Sequence, residues 1–129
     1  MIIDVYLRWS DIDRFGHLNN AVMATLLEEA RARFFYSDEI GTGLLDGGIV
    51  IAKQTIEYKK PIFYSLDPLQ IDVSVARMGN SSFDFAYVVN QGDEKELANG
   101  ITTMVAIDLQ TGKPKRLSKQ QVEWLRRHL

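Results

Sequence analysis

Met23, Leu26, Leu27, Ala30 and Phe34 fall within one stripe at helical spacing, with Thr25, Glu29 and Ala32 on the far side. This is the longest helical signature in the chain. It predicts a helix from about Asn20 to Ser37 or Glu39, roughly 30 Å long at 1.5 Å per residue, before Gly41 and Gly43 stop it. The other long apolar runs alternate. Ile3, Val5, Leu7 and Trp9 alternate with Asp4, Tyr6 and Arg8, the period of a half-buried strand ending near Trp9. A glycine-rich connection at 41–48 follows the helix, and alternation returns at 50–60, 69–77 and 82–90. In the last of these Phe83, Phe85, Tyr87 and Val89 share a face opposite Ser82, Asp84 and Asn90. Residues 90–95 form a turn. Ile101, Thr103, Val105, Ile107 and Leu109 make a fifth strand, ended by the Thr-Gly-Lys-Pro turn at 111–114, and a short helix from Ser118 closes the chain.

One strand, one long helix and four strands with hairpin-length links describe an α+β layer: an antiparallel five-stranded sheet packed on a single helix. Its second face and its edges need cover, and dimerisation supplies it for so small a domain. The 129 residues carry no linker, repeat or low-complexity stretch, so 1–129 reads as one domain.

Composition removes several functions. With no cysteine there is no disulfide, thiolate catalysis or cysteine-held metal, which fits a reducing, cytoplasmic setting. The two histidines, His17 and His128, stand at opposite ends, so no metal site is expected. Fifteen basic against 17 acidic side chains give a net charge of -2 and no electrostatic reason to bind nucleic acid. No apolar run approaches the length of a membrane span, and the N-terminus lacks the features of a signal peptide.

The densest polar cluster is Asp11, Asp13, Gly16, His17, Asn19 and Asn20, between the first strand and the long helix. A helix start offers unpaired N–H groups and a partial positive charge to an oxygen that becomes negative during attack. A carboxylate on a loop folded over that helix end would face the same carbonyl carbon from the other side, an acyl-transfer geometry. The carboxylate would attack directly or serve as a general base on water. The same residue types also cap helices and make turns without chemistry, and capping is much the commoner use.

Written out, Asp11-Ile12-Asp13-Arg14-Phe15-Gly16-His17-Leu18-Asn19-Asn20, followed by Leu27-Glu28-Glu29-Ala30-Arg31, resembles the 4-hydroxybenzoyl-CoA thioesterase-like family of hotdog-fold acyl-CoA thioesterases. Tyr58-Lys59-Lys60-Pro61, Asp67-Pro68-Leu69 and Ser82-Phe83 extend the likeness over nearly the whole chain. The resemblance implies a hotdog fold, a sheet wrapped around one long helix, assembled as a homodimer or a dimer of dimers. It implies hydrolysis of an acyl-CoA to a carboxylic acid and CoA, without a cofactor, in a site completed by a second subunit. Carried over, Asp13 is the catalytic carboxylate and Asp11 is structural. The Asn20 backbone N–H polarises the thioester oxygen, with His17, Asn19 and Gly16 at the entrance. Met23 stands where many relatives place an aromatic residue beside the acyl pocket. Relatives with several basic residues before the Ser-Phe pair hold the CoA phosphates there; here only Arg77 is near, and Lys59, Lys60 or the basic C-terminal tail are the other candidates. A hydratase using His17, or a non-catalytic acyl-thioester binding module, are the alternatives for the same fold.

Overall fold

The first strand, β1 (Ile2–Val5), turns Ile3 and Val5 into the core as the alternation requires. It stops four residues short of Trp9, which instead opens a 3₁₀ turn over Trp9–Asp11 and is 75% exposed. The cause is Asp11. Its carboxylate accepts the Arg8 backbone N–H at 2.8 Å and the Arg8 guanidinium at 2.9 Å, which bends the chain out of the sheet. The computed structural model describes residues Met1–Leu129.

The long helix α1 spans Asn20–Phe35, 16 residues or about 24 Å, shorter than the apolar spacing suggested. All five stripe residues are buried. The Asn19 side chain caps its start by accepting the Ala21 N–H at 2.8 Å. At the other end Ser37 Oγ donates to the Phe34 carbonyl, and Asp38 begins a second helix. That helix, α2 (Glu39–Asp46), occupies most of the stretch expected to be a glycine-rich connection. Gly41 is there for packing, because a Cβ would collide with the Phe35 carbonyl and lie 2.7 Å from the Trp124 ring.

Strands β2 (Ile49–Tyr58), β3 (Leu69–Met78), β4 (Ser82–Gln91) and β5 (Glu94–Ala106) complete one antiparallel sheet in the order β1-β3-β4-β5-β2. The crossover through α1 and α2 thus places β2 at the edge opposite β1. β5 starts within the span read as a turn and ends before Leu109, which lies outside the strand and is 68% exposed. The β4–β5 link is only Gly92-Asp93, with Gly92 at φ 56°. A register shift after Val89 and the positive φ of Glu96 bury Leu97 and Ala98 in succession, which hides the strand's period. Within β5 it is Thr102, Met104 and Ala106 that face the core, while Ile101 lies on the outer face.

The inner face and α1 enclose a cluster of 27 buried residues. The Phe34 ring lies 4.9 Å from Phe85, and Phe35 lies 5.1 Å from Phe85. Helix α3 (Lys119–Arg126), capped by Ser118, inserts the fully buried Trp124 against both phenylalanines of α1. No helix is long and apolar enough to cross a membrane.

Candidate active site

Between β1 and α1 the chain makes a tight hairpin. Ile12 bridges Leu18, the Asp13 N–H donates to the His17 carbonyl at 3.0 Å, and the Gly16 N–H donates to the Asp13 carbonyl at 3.0 Å. Gly16 takes φ 88°, the left-handed conformation this turn needs. Asp11 anchors the hairpin from below. Burial pushes its carboxyl up, but the hydrogen bonds and charge of Arg8 outweigh that and hold it below the usual carboxylate range. The Asn19 N–H bonds the Asp11 carbonyl and the Leu18 N–H bonds the Ile62 carbonyl at 2.7 Å. These bonds seat the hairpin over the start of α1 and beside residues 58–62.

A cavity of about 440 Å³ opens at that junction. The hairpin contributes Asp13, His17 and Leu18, and α1 contributes Asn20 and Met23. The segment after β2 closes the other side with Tyr58, Lys59 and Lys60, then Pro61 and Ile62. One Asp13 oxygen accepts the Phe15 N–H at 2.9 Å, which fixes the carboxylate; the other oxygen has no hydrogen bond within the chain. The backbone N–H of Asn20, at the first helical position, is likewise unpartnered. Its carbonyl accepts the Tyr58 hydroxyl at 2.5 Å. His17 sits edge-on to Phe63, ring centroids 6.3 Å apart.

Six of the residues singled out from sequence therefore meet in one cavity: Asp13, His17, Asn20, Met23, Lys59 and Lys60. Gly16, Asn19 and Arg77 do not line it. Gly16 shapes the hairpin, and the side-chain oxygen of Asn19 is spent on the helix cap. Arg77 forms a two-pronged pair with Asp84 at 3.0 Å, and neither residue lines the cavity. Both lysines at the cavity have acidic partners, Lys59 with Glu57 at 3.0 Å and Lys60 with Glu94 at 3.6 Å. Tyr58 stands in the Tyr58-Lys59-Lys60-Pro61 segment of the likeness without a site role assigned to it, and Ile62 had no signal beyond the proline before it. No three His, Asp or Glu side chains are placed to hold a metal ion. Glu29 pairs with Arg33 at 2.8 Å along α1, and Glu28 with Arg31 at 3.7 Å.

A fixed carboxylate and a free helix-start N–H on two residues that line one cavity form an arrangement suited to attack on a carbonyl carbon. The sequence pattern of the thioesterase-like superfamily matches residues 7–125. A thioesterase from Thermus thermophilus, solved with coenzyme A and Zn, is 29% identical, with a TM-score of 0.82 over 98% of this chain and 92% of that one. YbaW from Escherichia coli is 26% identical, with a TM-score of 0.85 over 99% of this chain and 98% of that one. The uncharacterized Bacillus subtilis protein YsmA is 26% identical over 94% of this chain and 82% of its own length.

Proposed function

The chain belongs to the thioesterase-like superfamily and is a thioester hydrolase, and from that premise we propose that it cleaves acyl-CoA at the cavity between Asp13 and the start of α1. The observation that carries the proposal is that Asp13 and Asn20 line the same cavity, one with an uncommitted carboxylate oxygen and the other with an uncommitted N–H.

The thioester carbonyl oxygen accepts the Asn20 N–H, which with the helix dipole stabilises the charge that develops there. Asp13 then acts in one of two ways. As a general base it takes a proton from water while the water oxygen bonds to the carbonyl carbon. As a nucleophile it bonds to that carbon itself, and water later opens the mixed anhydride. In both routes the carbon–sulfur bond breaks, the sulfur leaves as a thiolate that takes up a proton, and the acyl group departs as a carboxylic acid. Met23 forms the inner wall for the acyl group, and Lys59 and Lys60 stand at the mouth toward the CoA phosphates. His17 lines the entrance.

The homodimer joins through β2. Its ten residues form a sheet edge with Val50, Ile51 and Tyr58 between 44 and 50% exposed, an unpaired apolar edge that a second copy covers. Incubating the purified protein with a panel of acyl-CoAs and a thiol reagent tests the activity. Release of free thiol at a rate set by the acyl group is the expected result; no release from any member overturns the proposal.

A further inference from the structure

Arg31 is the only buried cation of the chain. A guanidinium carries five N–H donors, yet the chain gives this one a single hydrogen bond, 3.4 Å long, to the Gln54 side-chain oxygen. Its ion pair with Glu28 is 3.7 Å long, and the Glu28 side chain is 71% exposed. The other buried charge, Asp11, is met by three hydrogen bonds from Arg8. Charges persist in a protein interior where they are paired and hydrogen-bonded, so Arg31 lacks part of its shell.

Three contacts place Arg31 under the open edge of the sheet. Tyr58 bonds the Asn20 carbonyl, Leu27 and Ile56 both lie against Gly100, and Arg31 reaches Gln54, so α1 runs antiparallel to β2. Glu28, three residues from Arg31, shares that side of the helix, whereas Glu29 pairs with Arg33, which bonds the Asp4 carbonyl on β1. The β2 residues on the helix side are Ile49, Ile51, Gln54, Ile56 and Tyr58, since those opposite Ile49, Ile51 and Gln54 on β5 are the buried Ala106, Met104 and Thr102. The register shift between Ile51 and Lys53 sets the one gap of three and makes Gln54 the middle of the five.

A dyad that pairs two full-length copies of this edge is antiparallel and passes through the middle residue. Gln54 then meets the partner's Gln54, and Ile49 and Ile51 lie opposite the partner's Tyr58 and the partner's Ile56. Measured from the Tyr58 end, Gln54 stands roughly 13 Å along β2, and Glu28 and Arg31 roughly 12 and 17 Å along α1. The two charges therefore straddle the dyad, and the partner's Glu28 falls within about 3 Å of the level of Arg31.

We propose that Glu28 and Arg31 form the polar lock of a self-association surface: two copies join β2 edges about a dyad at Gln54, and Arg31 of each pairs with the partner's Glu28. This rests on the β2 homodimer given above and adds its register and the charges that fix it. The apolar edge supplies area without register, whereas a reciprocal pair of opposite charges penalises a slipped alignment.

Sedimentation equilibrium of the full chain is expected to show a dimer. Glu28→Lys, at an exposed position, is expected to raise the dissociation constant by at least about tenfold while the far-UV circular dichroism stays that of the parent. Glu28→Gln is expected to raise it several-fold, and decides the matter should the lysine variant fail to fold. The chain has no cysteine, so single cysteines report the register. Copies of Thr55→Cys lie roughly 8 Å apart about this dyad and copies of Val50→Cys roughly 20 Å, so a bis-maleimide sized for the shorter gap is expected to join the first and not the second. The reverse pattern, or joining of neither, overturns the dyad at Gln54. An unchanged dissociation constant in folded Glu28 variants overturns the lock and leaves the β2 dimer standing, and a parent that stays monomeric overturns both. Thiol release from acyl-CoA decides the thioesterase reading separately, since none of these measurements requires turnover.

Discussion

The Tyr58 hydroxyl donates to the main-chain carbonyl of Asn20 at 2.5 Å, tying the end of β2 to the first turn of α1 across the cavity. Burial raises the pKa of this phenol above its ordinary 10.0, so it keeps its proton and goes on donating at neutral and mildly alkaline pH. Tyr58→Phe removes the tie without removing the ring. The expected outcome is a loss of about 1 kcal/mol in stability and a several-fold drop in kcat/KM. Urea denaturation and steady-state rates check both. In the parent enzyme no loss of rate from Tyr58 ionisation is expected below about pH 10.

Asp38 caps α2 through the Gly41 N–H at 2.9 Å and accepts the indole N–H of buried Trp124 at 2.6 Å. The Gly41 bond is the leading cause that holds this carboxyl below its ordinary 3.8, with the Trp124 bond adding to it against the opposing effect of burial. A depressed folded-state pKa means that the stabilisation is fully present above the unfolded value and lost as pH falls through the folded one. Asp38→Ala is expected to cost about 1 kcal/mol or more near neutral pH. The difference between parent and variant, followed by chemical denaturation, is expected to shrink below about pH 4.

His128 packs its ring 4.8 Å from Phe34 and 5.2 Å from Trp124, and burial, with smaller contributions from the N-terminus and Arg127, lowers its pKa from 6.5. Well above that value the ring is neutral in both folded and unfolded chains. Below it the unfolded chain takes the proton first, so stability falls as pH drops through that range. His128→Phe is expected to flatten the slope of stability between about pH 6.5 and 5, measured by denaturation at several pH values.

How far the sequence reveals the structure varies by residue. The stripe Met23 to Phe34 and the alternation of Phe83, Phe85, Tyr87 and Val89 are both buried as read, because hydrophobic period responds to a single packed face. Helix α2 was hidden by Gly41 and Gly43, residues that normally end helices; Gly41 is required by the Trp124 ring, a contact 83 positions away in sequence. The early part of β5 was hidden by the bulge at Glu96, which breaks the alternation. At the cavity, the hairpin and helix residues were legible because they are contiguous. The places of Tyr58 and Ile62 at the cavity were not, although Tyr58 belongs to a segment of the likeness, since only the fold brings that segment against the hairpin, through Leu18 and Ile62. Arg77 was near in sequence pattern but is held by Asp84, whose register opposite it comes from the β3–β4 pairing.

Asp13→Asn tests the central claim most directly, since it keeps the size of the side chain and an oxygen able to accept the Phe15 N–H while removing the charge. Circular dichroism and the thermal midpoint should match the parent, and thiol release from the best acyl-CoA should fall by at least about a hundredfold. A folded Asp13→Asn protein that hydrolyses acyl-CoA at close to the parent rate would contradict it.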